Sequence, residues 1–358
     1  MKKNIYVDFH VLQSIPPSCL NRDDTGSPKT AIYGGARRAR VSSQSWKRAM
    51  REMFGNRLDA SELAIRTLRV YDLVAEEIIL LKPDMSFEEA TEKAKSVLQK
   101  VGVKPKKGSE DKVEALFFIG RQQAKNLAVC ALSDGDDKGM ENEAYKAIKE
   151  NIAIEIALFG RMVASNPLLN SDATAQVAHA ISTHPVENEF DYFTAVDDLS
   201  PEDNAGAGMI GTIEYNSSTL YRYATIATHN LFEELNENEI ILENALREFL
   251  RAFVLSMPTG KQNTFAANTV PDSVLVAIRT DRPLNLVGAF ETPINGTAFI
   301  PASAVALEKY AQSVYEDFCP RPQKSYVVGE FLGGLGERVS LEQLLDMLGK
   351  DVLELIKP

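Results

Sequence analysis

No apolar run in the chain approaches the roughly 18 residues that a membrane-crossing helix needs, so no membrane partner is expected. Disulfides are as unpromising. The three cysteines, Cys19, Cys130 and Cys319, are odd in number, far apart and without a CxxC pair. That pattern suits a reducing compartment and argues against both a disulfide scaffold and a cysteine zinc site. The two lysines of MKKNIYVDFHVL precede an apolar run that Asp8 and His10 interrupt, which makes a poor signal peptide. A cytoplasmic location is the expectation. Neither GxSxG nor a Walker sequence occurs, so serine-nucleophile and P-loop chemistries have no local signature.

Metal and dinucleotide sites are equally hard to find. The histidines are His10, His179, His184 and His229, and the closest pair is five apart, which does not share a helix face as HExxH does. Capping or packing is expected of all four. Gly206, Gly208 and Gly211 satisfy GxGxxG, but DLSPED precedes them in place of a strand, and the strand-like TIEYNSSTLYRY follows in place of a helix. A flexible glycine-rich hairpin or loop is the reading. The pairs Asp23-Asp24, Asp136-Asp137 and Asp197-Asp198 lie in predicted loops, where aspartates cap turns more often than they bind metal. No cofactor, metal or catalytic residue is expected.

What the chain does hold is concentrated positive charge. Residues 25–51, TGSPKTAIYGGARRARVSSQSWKRAMR, carry Lys29, Arg37, Arg38, Arg40, Lys47, Arg48 and Arg51 with no acidic residue among them. The rest of the protein carries 32 basic against 50 acidic residues, on a chain of formal net charge −11. Polyanions bind such blocks by releasing condensed counterions, which makes a phosphate backbone the first partner to consider. The bland alternative is a solvated cationic face on an ordinary amphipathic helix.

The 358 residues, 44% apolar and 25% charged, suit one large globular domain or two ordinary ones. Residues 4–11 alternate Ile5, Val7, Phe9 and Val11 against Tyr6, Asp8 and His10, the period of a strand with one buried face. Pro16-Pro17 ends it and opens a long loop to Gly34-Gly35. Ser42 or Ser43 then caps a helix in which Trp46, Met50 and Met53 share a core-facing stripe, while Lys47 and Arg51 lie a turn apart elsewhere. Helix-like segments follow at 59–82, 86–101, 110–132 and 141–164, a helical insertion. The pattern returns to strand from Thr219, then gives a helix at 239–256, a buried strand at 273–279, and helices at 302–318 and 340–356. Without the insertion the order is strand, helix, strand, helix, strand, an α+β core of split βαβ type. The loop Gly260-Lys261-Gln262-Asn263-Thr264 is basic and rich in hydrogen-bonding groups, and matters only if the fold brings it beside the basic helix.

Four motifs occur in order: PPSCLNRDD, GG-x-RR-x-R-V-SSQS-x-KRAMR, HAISTH with DYFTAVDDL, and GKQ-x-T-x-AA. Together they resemble the CasC family, the repeated backbone subunit of the type I-E CRISPR surveillance complex called Cascade, over about residues 5–267. The resemblance implies an RNA-recognition-motif-like (ferredoxin-like) palm at 1–57 and 217–358, a helical fingers insertion at 58–185 and a long thumb hairpin or loop at 186–216. It implies a non-catalytic subunit that stacks in several copies along the CRISPR guide RNA and presents it to a target DNA strand. Its partners would be neighbouring copies and the subunits CasA, CasB, CasD and CasE.

The same resemblance places Lys29, Arg38, Ser42, Gln44, Lys47, Arg48 and Arg51 in the guide-backbone motif, Arg22 in the NRDD loop, and Lys261 and Gln262 in the GKQ loop. Phe193, Thr194 and Val196 match the thumb segment that wedges beside a displaced base. Arg161 and Met162 match a GRM step. Two positions depart from the family pattern: Trp46 stands where an aliphatic residue is expected, which should change core packing only, and Asn166-Pro167 replaces a run of small residues. Two other readings compete: a metal-dependent ribonuclease using Asp23 or Asp24, and a helical interaction module whose basic face meets an acidic protein.

Overall fold

The computed structural model describes residues 4–133, 136–195 and 209–357. The chain divides into two compact units, one of Met1–Glu52, Val177–Thr225 and Phe249–Leu348, the other of Met53–Gln176, Ile226–Glu248 and Gly349–Pro358. Together they make a mixed α and β protein. The helical insertion expected at 58–185 overlaps the second unit, which also takes in 226–248 and the C-terminal segment.

The first unit is organised by β1 (Tyr6–Ser18), which lies between β12 (Ser273–Arg279) and β11 (Met209–Ala227). The sheet continues through β13 (Lys324–Gly329) and β14 (Glu337–Arg338) on one side, and through β9 (Ala180–Ser182), β3 (Ala36–Val41) and β2 (Thr30–Tyr33) on the other. The strands β8 (Ala175–Val177) and β10 (Glu189–Ala195) also pair with β11. β1 runs antiparallel to β12 in the register Tyr6↔Arg279 to Leu12↔Ser273, and β13 and β14 run parallel. A central strand has no solvent face, and β1 is buried on both sides, which corrects the expectation of one buried face. Phe9 meets the rings of Phe249 and Phe253 at 5.3 and 6.1 Å. These two belong to α8 (Glu239–Leu255). On the opposite face Asp8 and His10 stay buried because tyrosines of β11 complete their hydrogen bonds: Tyr223 donates to Asp8 Oδ1 at 2.9 Å, and His10 Nδ1 pairs with the Tyr221 hydroxyl at 2.8 Å. A further apolar layer, including Leu307 and Ala311 of α10 (Phe299–Asp317), packs with Leu12, Tyr221, Leu275 and Phe290.

The expected long loop before Gly34 contains the β2–β3 hairpin. Register Tyr33↔Ala36 leaves only Gly34 and Gly35 in the turn, at φ of 57° and 74°. Positive φ at both central residues is the primed turn that suits the twist of flanking strands.

The second unit is mainly helical. α2 (Val70–Leu81), α3 (Phe87–Lys100), α4 (Arg121–Leu132) and α5 (Asp137–Lys149) bury a common set that includes Tyr71, Val74, Ala94, Leu98, Leu127 and Ile148. Ser86 and Glu89 form a reciprocal capping box at the start of α3. Three of the segments expected to be wholly helical are not. The segment 59–82 holds β4 (Ala64–Thr67) before α2, and 110–132 holds part of β6 (Ser109–Val113) and β7 (Phe117–Gly120) before α4. In 141–164 the chain breaks after α5 and resumes as α6 (Ile154–Phe159). β4 pairs with β7, and β6 with the short β5 (Pro105–Lys106), so pairing between distant segments overrides local helix preference.

Candidate nucleic-acid interface

The basic helix of the sequence is α1 (Ser43–Phe54). Ser42 is its cap: Ser42 Oγ accepts the N–H of Ser45 at 3.3 Å, three residues on. Trp46, Ala49, Met50 and Phe54 are buried at helical spacing, while Gln44 and Arg48 are exposed and Lys47 and Arg51 half-buried. The 25–51 window ends one residue short of an acid. Glu52 pairs with Arg48 at 2.9 Å, one turn along the surface. An exposed pair of this kind contributes a few tenths of a kcal/mol and competes weakly with a phosphate.

The turn that precedes α1 in the chain is fixed to the helix start, and a loop from far along the chain packs on that turn. The N–H of Ser42 donates to Asn21 Oδ1 at 3.0 Å, which fixes the NRDD turn against the helix N-terminus. Gly260 packs so closely on this turn that an added Cβ would lie 2.2 Å from the Leu20 carbonyl oxygen. Only glycine permits that approach. The GKQ loop is therefore beside the NRDD loop, and an open cleft is lined by Leu20 to Gly26 with Gly260. Burial pushes the Cys19 thiol pKa up; the charges of Arg22 and Lys261 oppose this and those of Asp23 and Glu214 add to it, so cations and acids both act on this sulfur. Lys261 itself has φ of 52°, and Gln262 begins the short helix α9 (Gln262–Phe265), its Nε2 donating to the Pro258 carbonyl. Lys29 is half-buried at the other end of the turn, its N–H on the Asn21 carbonyl at 2.9 Å. Arg22, Lys29, Ser42, Lys261 and Gln262 are thus brought to one region of the first unit. Asn21 and Gly260 are the positioning residues that sequence reasoning passed over, although both lie inside quoted motifs.

Asp23 is engaged by its own turn. Its Oδ1 accepts from the N–H groups of Thr25 and Ser27 and from the Thr25 hydroxyl, at 2.7 to 3.0 Å. The Thr25 hydroxyl bond, followed by the backbone bonds, outweighs desolvation and lowers the carboxyl pKa below its ordinary value. This is an Asx turn that shapes the loop.

Two expected RNA contacts are corrected. Arg38 is fully buried, and its guanidinium donates to the carbonyls of Tyr33, Ser182 and Phe290 at 3.2, 3.0 and 2.9 Å. β3 runs at this point inside the sheet, so alternate arginines point inward: Arg37 is exposed, Arg38 is not. Arg161, in the second unit, is also buried and donates to the carbonyls of Leu169, Ile148 and Phe118. Burial lowers its pKa to about 10. Both arginines act as struts. Met162, the neighbour of Arg161, is 83% exposed on a cleft that also holds Arg66, Leu116 and Phe159.

The segment expected as the thumb begins as a two-stranded hairpin of β10 with the start of β11, in the register Glu189↔Tyr215 to Ala195↔Met209. Phe190, Tyr192, Met209 and Ile210 are exposed on it, as is Thr194, whereas Phe193 is half-buried. Tyr215 meets Phe265 at 5.6 Å, joining the hairpin base to α9. Val196, Gly206, Gly208 and the pair Asp197-Asp198 lie outside the described residues.

Trp46 changes more than packing. It is buried, and Arg222 of β11 lies over its ring at 3.7 Å. Arg222 is itself buried and donates to Gln13 Oε1 and to the Phe253 carbonyl. His184 plays a packing role of the expected kind, accepting the Thr219 N–H at Nε2 and stacking on Phe299 at 3.8 Å.

Comparison with known proteins agrees with the motif resemblance. No match to a curated protein is found. Among solved structures, a chain of a "CRISPR RNA-guided surveillance complex, pre-nicking" superimposes with a TM-score of 0.84 at 33% identity, covering 97% of this chain and 99% of that one. A chain of a second "CRISPR RNA-guided surveillance complex" gives 0.64 at 29% identity with the same coverage. The model of the CT1975-like protein family matches residues 7–346. The chain therefore belongs to the family of CT1975-like proteins, the CasC-type family that its four ordered motifs resemble.

Proposed function

We propose that the protein is a guide-RNA-binding backbone subunit of a type I-E CRISPR surveillance complex, stacking in several copies along the CRISPR RNA and presenting it to a target DNA strand. The observation that carries this reading is the meeting of the NRDD turn, the N-terminus of α1 and the GKQ loop through the Asn21–Ser42 bond and the Gly260–Leu20 approach. Arg22, Lys29, Lys47, Arg48, Arg51 and Lys261 then meet phosphates. Ser42 and Gln44 present the first turn of the helix, whose partial positive charge favours an anion. Such contacts hold a backbone without reading sequence, which a subunit serving variable guides requires.

The palm reading is supported by the strand order β12-β1-β11-β9, with α1 after β1 and α8 between β11 and β12 in the chain. A β-α-β-β-α-β, RNA-recognition-motif-like sheet would have this order. The second unit would supply the fingers, with Met162 on their surface. The β10–β11 hairpin would be the thumb, with Phe193 and Thr194 beside a displaced base. Neighbouring copies and the subunits CasA, CasB, CasD and CasE complete the assembly. We read the role as non-catalytic; the engagement of Asp23 Oδ1 in its own turn weighs against that residue as a nuclease ligand. The test is RNA content: protein purified from cells carries RNA and has a high 260/280 nm absorbance ratio. The double substitution Lys47→Ala, Arg51→Ala loses the RNA and the stacking together. Unchanged RNA in that variant refutes the assignment of α1.

A further inference from the structure

Phe193 and Gly211 face each other across the β10–β11 hairpin. A Cβ built on Gly211 would lie 2.3 Å from Phe193 Cζ, 2.7 Å from Cε1 and 3.1 Å from Cε2, so the ring occupies the place a side chain would take. Gly211 is not among the glycines with positive φ, and its backbone is one that any residue adopts. Space, not conformational freedom, is what this position supplies. A glycine inside a strand forfeits side-chain packing and costs entropy, and it marks a site of close approach. Here an aromatic ring on the partner strand fills the gap, a recognised way of stabilising a strand glycine. The effect shows in the exposure pattern: Phe193 is the one half-buried residue of β10, and its neighbours on the strand are exposed.

We propose that Gly211 is the seat that positions the Phe193 ring, fixing it as a rigid wedge at the level where it displaces a guide base. The inference rests on the reading of Phe193 as that wedge. A free phenylalanine on a two-stranded hairpin samples several rotamers and loses entropy when it unstacks a base. A ring already lodged on Gly211 has lost that freedom before RNA arrives. Substitution of Gly211 by alanine moves the ring and leaves the hairpin standing, because the colliding atoms are the far end of a side chain and not backbone.

The test uses protein assembled on a guide RNA carrying 2-aminopurine at the displaced position, whose fluorescence rises when the base is unstacked. The wild-type assembly is bright. Phe193→Ala and Gly211→Ala are both dim, with RNA retained per protomer unchanged, and Gly211→Ala adds nothing in the Phe193→Ala background. A bright Gly211→Ala beside a dim Phe193→Ala overturns the seat and spares the wedge. A bright Phe193→Ala overturns the wedge reading and the role of Gly211 with it. Loss of RNA in Gly211→Ala with either partner background shows a damaged hairpin and also overturns the seat. Without RNA, the α-protons of Gly211 in selectively labelled full-length protein are shifted upfield by the ring and return towards ordinary values in Phe193→Leu. An unshifted wild-type signal overturns the contact itself.

Discussion

The guanidinium of Arg222 lies 3.7 Å from the centre of the Trp46 ring, in the interior of the first unit. Among the described residues no carboxylate pairs with this cation. Its polar partners are the neutral oxygens of Gln13 and Phe253, and burial lowers its pKa to about 9. The indole face therefore does part of what a counter-charge would do. Replacing Trp46 by the aliphatic residue that the resemblance leads one to expect is not a repacking event alone. Trp46→Leu removes a desolvated cation–π contact worth about 2 kcal/mol and leaves unfilled volume, for a total loss near 3–4 kcal/mol. Trp46→Phe, which keeps an aromatic face, loses about half as much. Denaturant unfolding of the two variants checks the ratio.

Arg38 and Lys47 belong to one basic block and are expected to fail in opposite ways. Arg38→Ala strands three carbonyl oxygens and costs about 3–5 kcal/mol, read as a lowered melting temperature with or without RNA. Lys47→Ala, at a half-buried position, costs much less stability than Arg38→Ala and lowers RNA retention. A stable Arg38→Ala that has lost only RNA contradicts the burial argument.

Salt supplies a quantitative version of the phosphate assignment. The logarithm of RNA affinity falls linearly with the logarithm of salt concentration, with a slope near −0.7 for each phosphate neutralised on a single strand. Removing Lys47 and Arg51 together should make the slope shallower by about 1.4. A drop in affinity at constant slope means that these residues act on fold and not on phosphate.

The pair Asp8 and His10 gives a pH prediction with opposing signs. Burial raises Asp8 from 3.8 to about 6, so its contribution to stability is full below pH 4 and is lost as pH rises through 6, about 3 kcal/mol in all. Burial lowers His10 from 6.5 to about 3, so its contribution is full above pH 6.5 and is lost as pH falls through 3, about 5 kcal/mol. Between pH 4 and 6 the two oppose each other. Relative to wild type, His10→Gln should lose stability with rising pH across that window and Asp8→Asn should gain it. Unfolding free energies over a pH series decide both signs.

How much of this was legible in the sequence differs by element. Trp46 and Met50 at helical spacing announced α1, and the apolar run 274–278 announced a buried strand. The charge count of 25–51 overstated the exposed charge, because strand alternation turns Arg38 inward and no local pattern shows which neighbour will receive it. β4 and β7 were hidden because each is stabilised by the other, about fifty residues away, and not by its own composition. The meeting of the NRDD and GKQ loops was invisible for the same reason: Gly260 has no signal of its own until Leu20 stands against it. Arg161, which the family motifs pointed to, is a strut, a role set by its depth.

β1 has a consequence for the order of events during synthesis. Its Asp8 carboxylate waits for the N–H of Leu284, 276 residues later, and its apolar face waits for Phe249 and Phe253. At roughly 5–20 residues per second that interval is on the order of tens of seconds. Loop closure over such a span cannot be completed before the distal strand exists, so the first strand made is among the last to be locked. The basic turn and helix that follow β1 gain their fixed geometry only then. A nascent chain would thus present scattered positive charge, and a finished one an ordered cluster; on the proposed guide-binding role, loading would wait until the subunit is whole.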